Sequence, residues 1–267
     1  MTQQNPDSGL SGRRILLTRP AQQQHSLCAA IEQRGGHCVS LPLLSIVAIE
    51  DADEIQRARA LIQDLDHFQI VIFISTNAVS FGGDLIEDYW PQFPIGVKVI
   101  AIGETTARSA SARFGCAVSR PSRGADSETV LAMPELGDVS DKRIAIVRGQ
   151  GGRELLASTL RGRGARVDYI EVYRRLATQF EEGVLQARLL EPACDALTVH
   201  SGESLRRLVE VSSDNIDKVT LIPLVVPSRR IAEQAEEAGF QRVIDAGGAD
   251  DIAMMAALDG LFTEAGA

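Results

Sequence analysis

Short β-branched runs alternate with amphipathic stretches along the chain. Apolar runs bounded by Gly, Pro, Asn or Ser predict strands, and apolar residues recurring at the helical period predict helices. Strands are expected at Arg14–Thr18, Cys38–Val47, Ile70–Ile74, Lys98–Ile102, Ala117–Arg120, Arg143–Val147, Arg166–Tyr173, Ala196–Val199, Thr220–Val226 and Arg242–Asp245. Helices are expected at Gln22–Arg34, Ala52–Asp64, Thr76–Glu87, Thr105–Phe114, Ser127–Met133, Arg153–Arg163, Glu181–Leu190, Ser201–Val209, Ser228–Ala238 and Asp250–Phe262. Gly35, Gly115, Gly164 and Gly239 stand where left-handed C-terminal caps belong. Strict β/α alternation implies parallel sheets covered by helices on both faces.

Ten strands exceed one compact doubly wound sheet, so two sheets of about five are expected. An internal repeat agrees. Arg14-Ile15-Leu16-Leu17-Thr18-Arg19 matches Arg143-Ile144-Ala145-Ile146-Val147-Arg148 at an offset of 129, which also carries Gly35 onto Gly164. Gly124-Ala125-Asp126 matches Gly248-Ala249-Asp250 at an offset of 124. Between them lie two similar strand-to-helix corners, Ile74-Ser75-Thr76-Asn77 and His200-Ser201-Gly202-Glu203. The chain therefore reads as two copies of one βα module. The long apolar segments Cys38–Val47 and Arg166–Arg174 occupy equivalent places in the copies and read as paired linkers. They predict a discontinuous α/β domain over 1–40 and 176–267, an inserted one over 45–170, and linker strands at 41–44 and 171–175.

The 267 residues are 45% hydrophobic and 24% charged, with a net charge of −9. That composition suits a soluble globular protein and lacks the basic footprint of a nucleic-acid or anionic-membrane binder. Of the 27 basic residues 24 are arginine; genomic base composition is the favoured explanation of the skew, and the functional alternative is that planar guanidinium forks suit carboxylate and phosphate ligands. The first eleven residues are polar, read as a frayed tail, and do not resemble a signal peptide. No apolar run approaches a membrane span. Cys28, Cys38, Cys116 and Cys194 stand singly without metal-ligand spacing, so neither zinc nor iron–sulfur is expected. Such cysteines are expected to stay reduced, which points to the cytoplasm.

Ligands of open parallel sheets bind beyond the carboxyl ends of the strands, so chemistry is sought at those corners. Thr18-Arg19-Pro20 and Arg148-Gly149-Gln150-Gly151-Gly152-Arg153 leave equivalent strands. Glycines opening a helix let backbone N–H groups approach an anion, but neither GxGxxG nor GK[ST] is present. An anion- or carboxylate-binding corner is therefore favoured over a nucleotide site. Ser75, Thr76, Asn77, Thr106, Ser201, Gly202 and Ser228 mark the other corners, where simple helix capping is the competing explanation. No activated nucleophile stands out. His200 ends a strand, where packing alone accounts for it. Tyr173 ends a linker strand, where its phenol is either a hydrogen-bond donor or plain packing.

These corners, in this order, resemble the uroporphyrinogen-III synthase family. The carrying segments are Ile15–Pro20, Phe73–Val79, Ala101–Ala107, Arg120–Leu131, Val147–Leu156, Glu171–Arg175, Asp195–Leu205 and Pro227–Ala235. The resemblance implies two flavodoxin-like α/β domains joined by a two-stranded β-ladder, bilobed with a central cleft. It implies a cytoplasmic lyase of porphyrin and haem biosynthesis. Hydroxymethylbilane would be cyclised to uroporphyrinogen III with loss of water and inversion of ring D through a spiro intermediate. No cofactor, metal, nucleic acid or membrane is implied, and a monomer is expected. The family tyrosine linked to activity matches Tyr173, and the threonine of its G-x-x-T-A corner matches Thr106. Ser228 stands where other members often carry G-x-T-T; here the segment is PSRR. Arg19, Ser75, Thr76, Asn77, Thr106, Arg148, Gly149, Ser201, Gly202 and Ser228 are the expected substrate contacts. The competing functional readings are a two-lobed small-molecule binding module without catalysis and a nucleotide enzyme.

Overall fold

A computed structural model describes residues 9–263, apart from residues 182 and 191 and the side chain of residue 186. Residues 1–8 of the expected frayed tail, and residue 182 of the expected helix Glu181–Leu190, lie outside the described residues. Within that tail Leu10 is fully buried, so the chain is fixed from there.

The strands are β1 (Arg14–Leu17), β2 (His37–Ser40), β3 (Leu44–Ala48), β4 (Ile70–Phe73), β5 (Lys98–Ala101), β6 (Val118–Ser119), β7 (Arg143–Gly149), β8 (Arg166–Ala177), β9 (Ala196–Thr198), β10 (Leu224–Val226) and β11 (Val243–Asp245). The helices are α1 (His25–Gln33), α2 (Ala52–Gln63), α3 (Thr76–Glu87), α4 (Glu104–Phe114), α5 (Ser127–Leu131), α6 (Leu155–Gly162), α7 (Val184–Leu189), α8 (Gly202–Val211), α9 (Ile216–Val219), α10 (Arg229–Glu237) and α11 (Asp251–Thr263). None is long and apolar enough to cross a membrane among the described residues. The four glycines expected as caps adopt φ between 62° and 97°.

The chain divides into two compact units, 1–45 with 176–267, and 46–175. Unit 1 carries a sheet in the order β11-β10-β9-β1-β2, every ladder of it parallel. Alternate residues of its strands face opposite ways. Leu16, Leu197 and Leu224 pack with Leu205 of α8 and Ile231 of α10. Their neighbours Ile15, Ala196 and Val225 pack with Leu27 of α1 and Met254 of α11. Each such fully buried aliphatic side chain contributes about 1.5–3 kcal/mol.

Unit 2 carries the order β3-β8-β7-β4-β5-β6, parallel from β8 to β6. Phe73 and Val147 face Ala78 and Val79 of α3, whereas Ile72 and Ile146 face Val130 of α5 and Leu160 of α6. Both units are thus doubly wound α/β sheets. The strand order β8-β7-β4-β5-β6 repeats β2-β1-β9-β10-β11, with β7 in the place of β1 and β4 in that of β9. In sequence, β1 and β2 belong to the first copy and β9–β11 to the second; β4–β6 belong to the first and β7–β8 to the second. Each sheet is therefore assembled from both copies. The copies meet where β1 pairs with β9 and β4 pairs with β7.

Three expectations are corrected. The single strand Cys38–Val47 is two strands in different sheets, and the expected linker 41–44 is mostly the break between them. Pro42 has no N–H for a ladder, and the N–H groups of Leu41 and Leu43 donate instead to Leu17 and Thr18. The strand expected from Thr220 begins at Leu224, because α9 runs to Val219 and the Thr220 hydroxyl donates back to Ile216. The cysteines do not all stand singly. Cys28 of α1 and Cys38 of β2 form a disulfide with Cα atoms 5.5 Å apart, which removes the argument from lone cysteines to a reducing compartment. Cys116 and Cys194 are free, and burial pushes both thiols up, Cys194 to about 11.

Candidate functional site

In each sheet the chain order reverses direction at one pair of strands, and such switch points open a crevice at their carboxyl ends. In unit 2 the pair is β7 and β4. A pocket of about 390 Å³ lies there, with Ile74, Ile102 and Ile146 among its apolar lining and Arg148, Arg153 and Arg175 among its cations.

Gly149 fixes the back of this pocket. The β7–β8 register shifts at Arg148/Gly149, and Gly149 comes to lie opposite Tyr173. A Cβ on Gly149 would stand 2.3 Å from the Tyr173 ring, so only glycine permits the approach. The next N–H, of Gln150, donates to the Tyr173 carbonyl at 2.8 Å. Tyr173 is buried, and its ring lies against Phe81. Its phenol oxygen is 3.1 Å from Ser75 Oγ. Ser75 accepts the N–H of Ala78 and so caps α3. With that N–H occupying one lone pair, the Ser75 hydroxyl is free to donate to the phenol oxygen and leave the tyrosine proton for a ligand.

The Arg148 side chain is only 3% exposed. It donates to the Gly149 carbonyl at 3.2 Å, to the Gly151 carbonyl, and to Glu154 at 3.4 Å. Its guanidinium stacks 4.5 Å from the centre of the Tyr169 ring. The Tyr169 hydroxyl donates to the other oxygen of Glu154 at 2.6 Å. Burial, and then that bond, push the Tyr169 phenol up, which keeps it protonated. Asp126, on the pocket wall, caps α5 by accepting the Thr129 N–H at 2.8 Å. That bond holds its carboxyl below the usual range.

In unit 1 the switch point is β1 and β9. The buried hydroxyls of Thr18 and Thr198 stitch it, donating to the Thr198 and Leu16 carbonyls at 2.7 and 3.0 Å. Arg19 reaches across to the start of α11, pairing with Asp251 and donating to the Ala249 carbonyl. Both ring nitrogens of His200 are buried without a partner. Burial, and then Arg19, push its pKa down to about 3, so the imidazole is neutral. Ser201 caps α8, accepting the Ser204 N–H at 3.1 Å, and Gly202 opens that helix. Ser228 precedes α10 but makes no capping bond.

Of the residues singled out by sequence, Arg148, Gly149 and Tyr173 line one pocket, and Ser75 joins them through the tyrosine. Thr76 and Asn77 form the first turn of α3, and buried Thr106 lies in α4; none of the three lines that pocket. Arg19 and His200 lie together in unit 1. Sequence reasoning missed Tyr169 and Glu154. Strand alternation did not signal Tyr169: the register shift at Arg148/Gly149 puts Tyr173 with Ile170 and Val172 on the α3 side of the sheet, whereas Tyr169 packs with Val167 on the other. No group of three or more His, Cys, Asp or Glu that could hold a metal occurs among the described residues.

A family model described as "Uroporphyrinogen-III synthase HemD" matches residues 25–255. The curated uroporphyrinogen-III synthase of Salmonella typhimurium is 32% identical over 246 residues, spanning 91% of this chain and 99% of that protein. That of Escherichia coli is 30% identical over 249 residues, again 91% and 99%. Among solved structures, a mutant uroporphyrinogen III synthase from Thermus thermophilus superposes with a TM-score of 0.61 at 16% identity, covering 95% of this chain and all of that one. The Helicobacter pylori uroporphyrinogen-III synthetase gives 0.58 at 11% identity over 94% and 99%. At these identities the structures speak for the fold alone.

Proposed function

The chain belongs to the uroporphyrinogen-III synthase family and is an enzyme of porphyrin biosynthesis, and on that premise we propose that it acts on hydroxymethylbilane at the unit 2 pocket. The reaction is cyclisation to uroporphyrinogen III with loss of water and inversion of ring D. The substrate is an electron-rich linear tetrapyrrole that readily loses its hydroxyl to give an azafulvene. Left alone, it closes without inverting the last ring. The enzyme's task is to hold the chain so that the substituted carbon of ring D is attacked, giving a spiro intermediate that fragments and recloses. Such catalysis rests on restraint and orientation more than on reactive groups.

The observation that carries this reading is a pocket with an apolar lining, three arginines and two phenols, of which Tyr169 is committed to Glu154 and Tyr173 is left for the ligand. The arginines suit acetate and propionate arms, since planar forks match carboxylates. Tyr173 is the proposed acid at the leaving hydroxyl. As it gives up its proton, the Ser75 hydroxyl stabilises the phenolate by donating to it. Arg19, Thr76, Asn77, Thr106, Ser201, Gly202 and Ser228 stay proposed contacts, through hydroxyls, guanidinium and backbone N–H groups. We place the activity in the cytoplasm, as a monomeric lyase without a cofactor. A non-catalytic binding module is not favoured by the curated relatives, which are synthases.

The test supplies hydroxymethylbilane and resolves the uroporphyrin isomers after oxidation. Isomer III formed faster than spontaneous closure is expected; isomer I alone, at the spontaneous rate, overturns the proposal.

A further inference from the structure

Arg148 combines two properties that do not fit a settled structural arginine. It lines the unit 2 pocket, and its side chain is almost wholly buried. A buried guanidinium needs a close counter-charge. The carboxylate paired with it is Glu154, through one contact of 3.4 Å to Nη1 rather than a two-pronged fork. Its remaining bonds go to the carbonyls of Gly149 and Gly151. Glu154 is differently placed. Its side chain is 62% exposed, and its second oxygen is held by the Tyr169 hydroxyl at 2.6 Å. Glu154 can release Arg148 at little cost, because water and Tyr169 keep it satisfied. Arg148 cannot release Glu154 without another anion.

We propose that Glu154 is the resting counter-ion of Arg148 and competes with the ligand's carboxylate arms for it, so that Glu154 weakens substrate binding rather than supporting it. This rests on the reading of the unit 2 pocket as the place where a polycarboxylate tetrapyrrole binds. An arm entering the pocket takes the guanidinium, and Glu154 turns outward while still accepting from Tyr169. The competition sets KM, and the released carboxylate is ready to reclaim Arg148 as product leaves. Tyr169 is a positioning residue: by holding one oxygen of Glu154 it limits the carboxylate to a single long contact.

Glu154→Gln keeps the shape and the acceptor for Tyr169 but removes the charge. The measurement is the Kd for uroporphyrin III, the oxidised and stable octacarboxylate product, together with KM for hydroxymethylbilane. Both are expected to fall roughly fivefold, the size of a half-exposed ion pair, with the change in KM rather than kcat. Loss of a merely structural contact cannot tighten binding, so an unchanged or raised Kd overturns the assignment. Tyr169→Phe frees both oxygens of Glu154 for Arg148 and is expected to raise Kd. Adding Glu154→Gln should abolish that rise; a rise that persists means Tyr169 acts on the ligand itself and contradicts the proposal. The two levels of failure are separable. Wild-type protein that makes isomer III while Glu154→Gln binds no tighter removes only the role of Glu154. Wild-type protein that neither binds uroporphyrin III nor makes isomer III removes the pocket reading with it.

Discussion

The two units use one strand order and nearly one strand sequence, yet their corner arginines do opposite things. RILLTR and RIAIVR end in Arg19 and Arg148 at equivalent switch points. Arg19 is followed by Pro20, which offers no flexible turn, and it spans to Asp251 and the Ala249 carbonyl at the start of α11. Arg148 is followed by Gly149-Gln150-Gly151-Gly152, with φ of 72° and 95° at the last two glycines, and it curls onto its own loop. A Cβ at Gly152 would stand 2.8 Å from the Arg148 guanidinium. The charge is the same and the backbone after it decides its use: in unit 1 the arginine closes the corner, and in unit 2 it borders an open pocket.

The sharpest way to break that contrast is at the glycines. Gly149→Ala puts a methyl into the Tyr173 ring, so the ring or β7 must shift; kcat/KM should fall about 10²-fold, the cost of misplacing a reacting group by about an ångström. Gly202→Ala, at the unit 1 corner after β9, keeps the backbone N–H proposed to contact substrate and meets only the tip of Gln234 at 3.0 Å, so Tm and kcat/KM should stay near wild type. Steady-state kinetics and thermal melts of the two variants check this, and equal effects would dissolve the distinction between the units.

Next in size is the phenol. Tyr173→Phe keeps the ring against Gly149 and Phe81 but removes the group bonded to Ser75. A fall in kcat of about 10²-fold with unchanged Tm is expected of a lost proton donor. Full kcat would make Tyr173 a packing residue like its neighbours.

A smaller effect separates the units by pH. His200, neutral and unpartnered, has no counterpart among the groups of the unit 2 pocket. Its pKa is about 3 in the folded chain against 6.5 for the free side chain. Between those values the unfolded chain binds a proton that the folded chain refuses. Stability is therefore lost as pH falls below about 6.5, by at most about 1.4 kcal/mol per pH unit for one group. Melts of wild type and His200→Leu should diverge below that pH, the variant losing less. Parallel curves would mean that His200 finds a partner in solution.

Much of the fold was legible because it rests on local pattern. The unbroken apolar runs Ile15-Leu16-Leu17 and Ile144-Ala145-Ile146 mark strands buried on both faces, and the glycine caps mark helix ends. The tandem repeat was also readable. What the repeat could not reveal is that β1 pairs with β9 and β7 with β4, since a repeat reports similarity and not which copy packs on which. Pro42 was visible, but a continuous apolar run outweighed one missing N–H. The disulfide was hidden because Cys28 and Cys38, ten residues apart, meet only once α1 has packed beside β2. At the site, Gly149 and Tyr173 were readable as corner residues. The Arg148–Glu154–Tyr169 cluster was not, because it depends on which way one guanidinium turns.

The central claim is that the unit 2 pocket steers ring closure. The most direct measurement is the ratio of uroporphyrin isomers III and I formed from hydroxymethylbilane by wild type and by Gly149→Ala. The account predicts almost wholly isomer III from wild type and a shift toward isomer I in the variant, as spontaneous closure overtakes the slowed enzyme. Undiminished isomer III from a folded Gly149→Ala variant, at the wild-type rate, would contradict it.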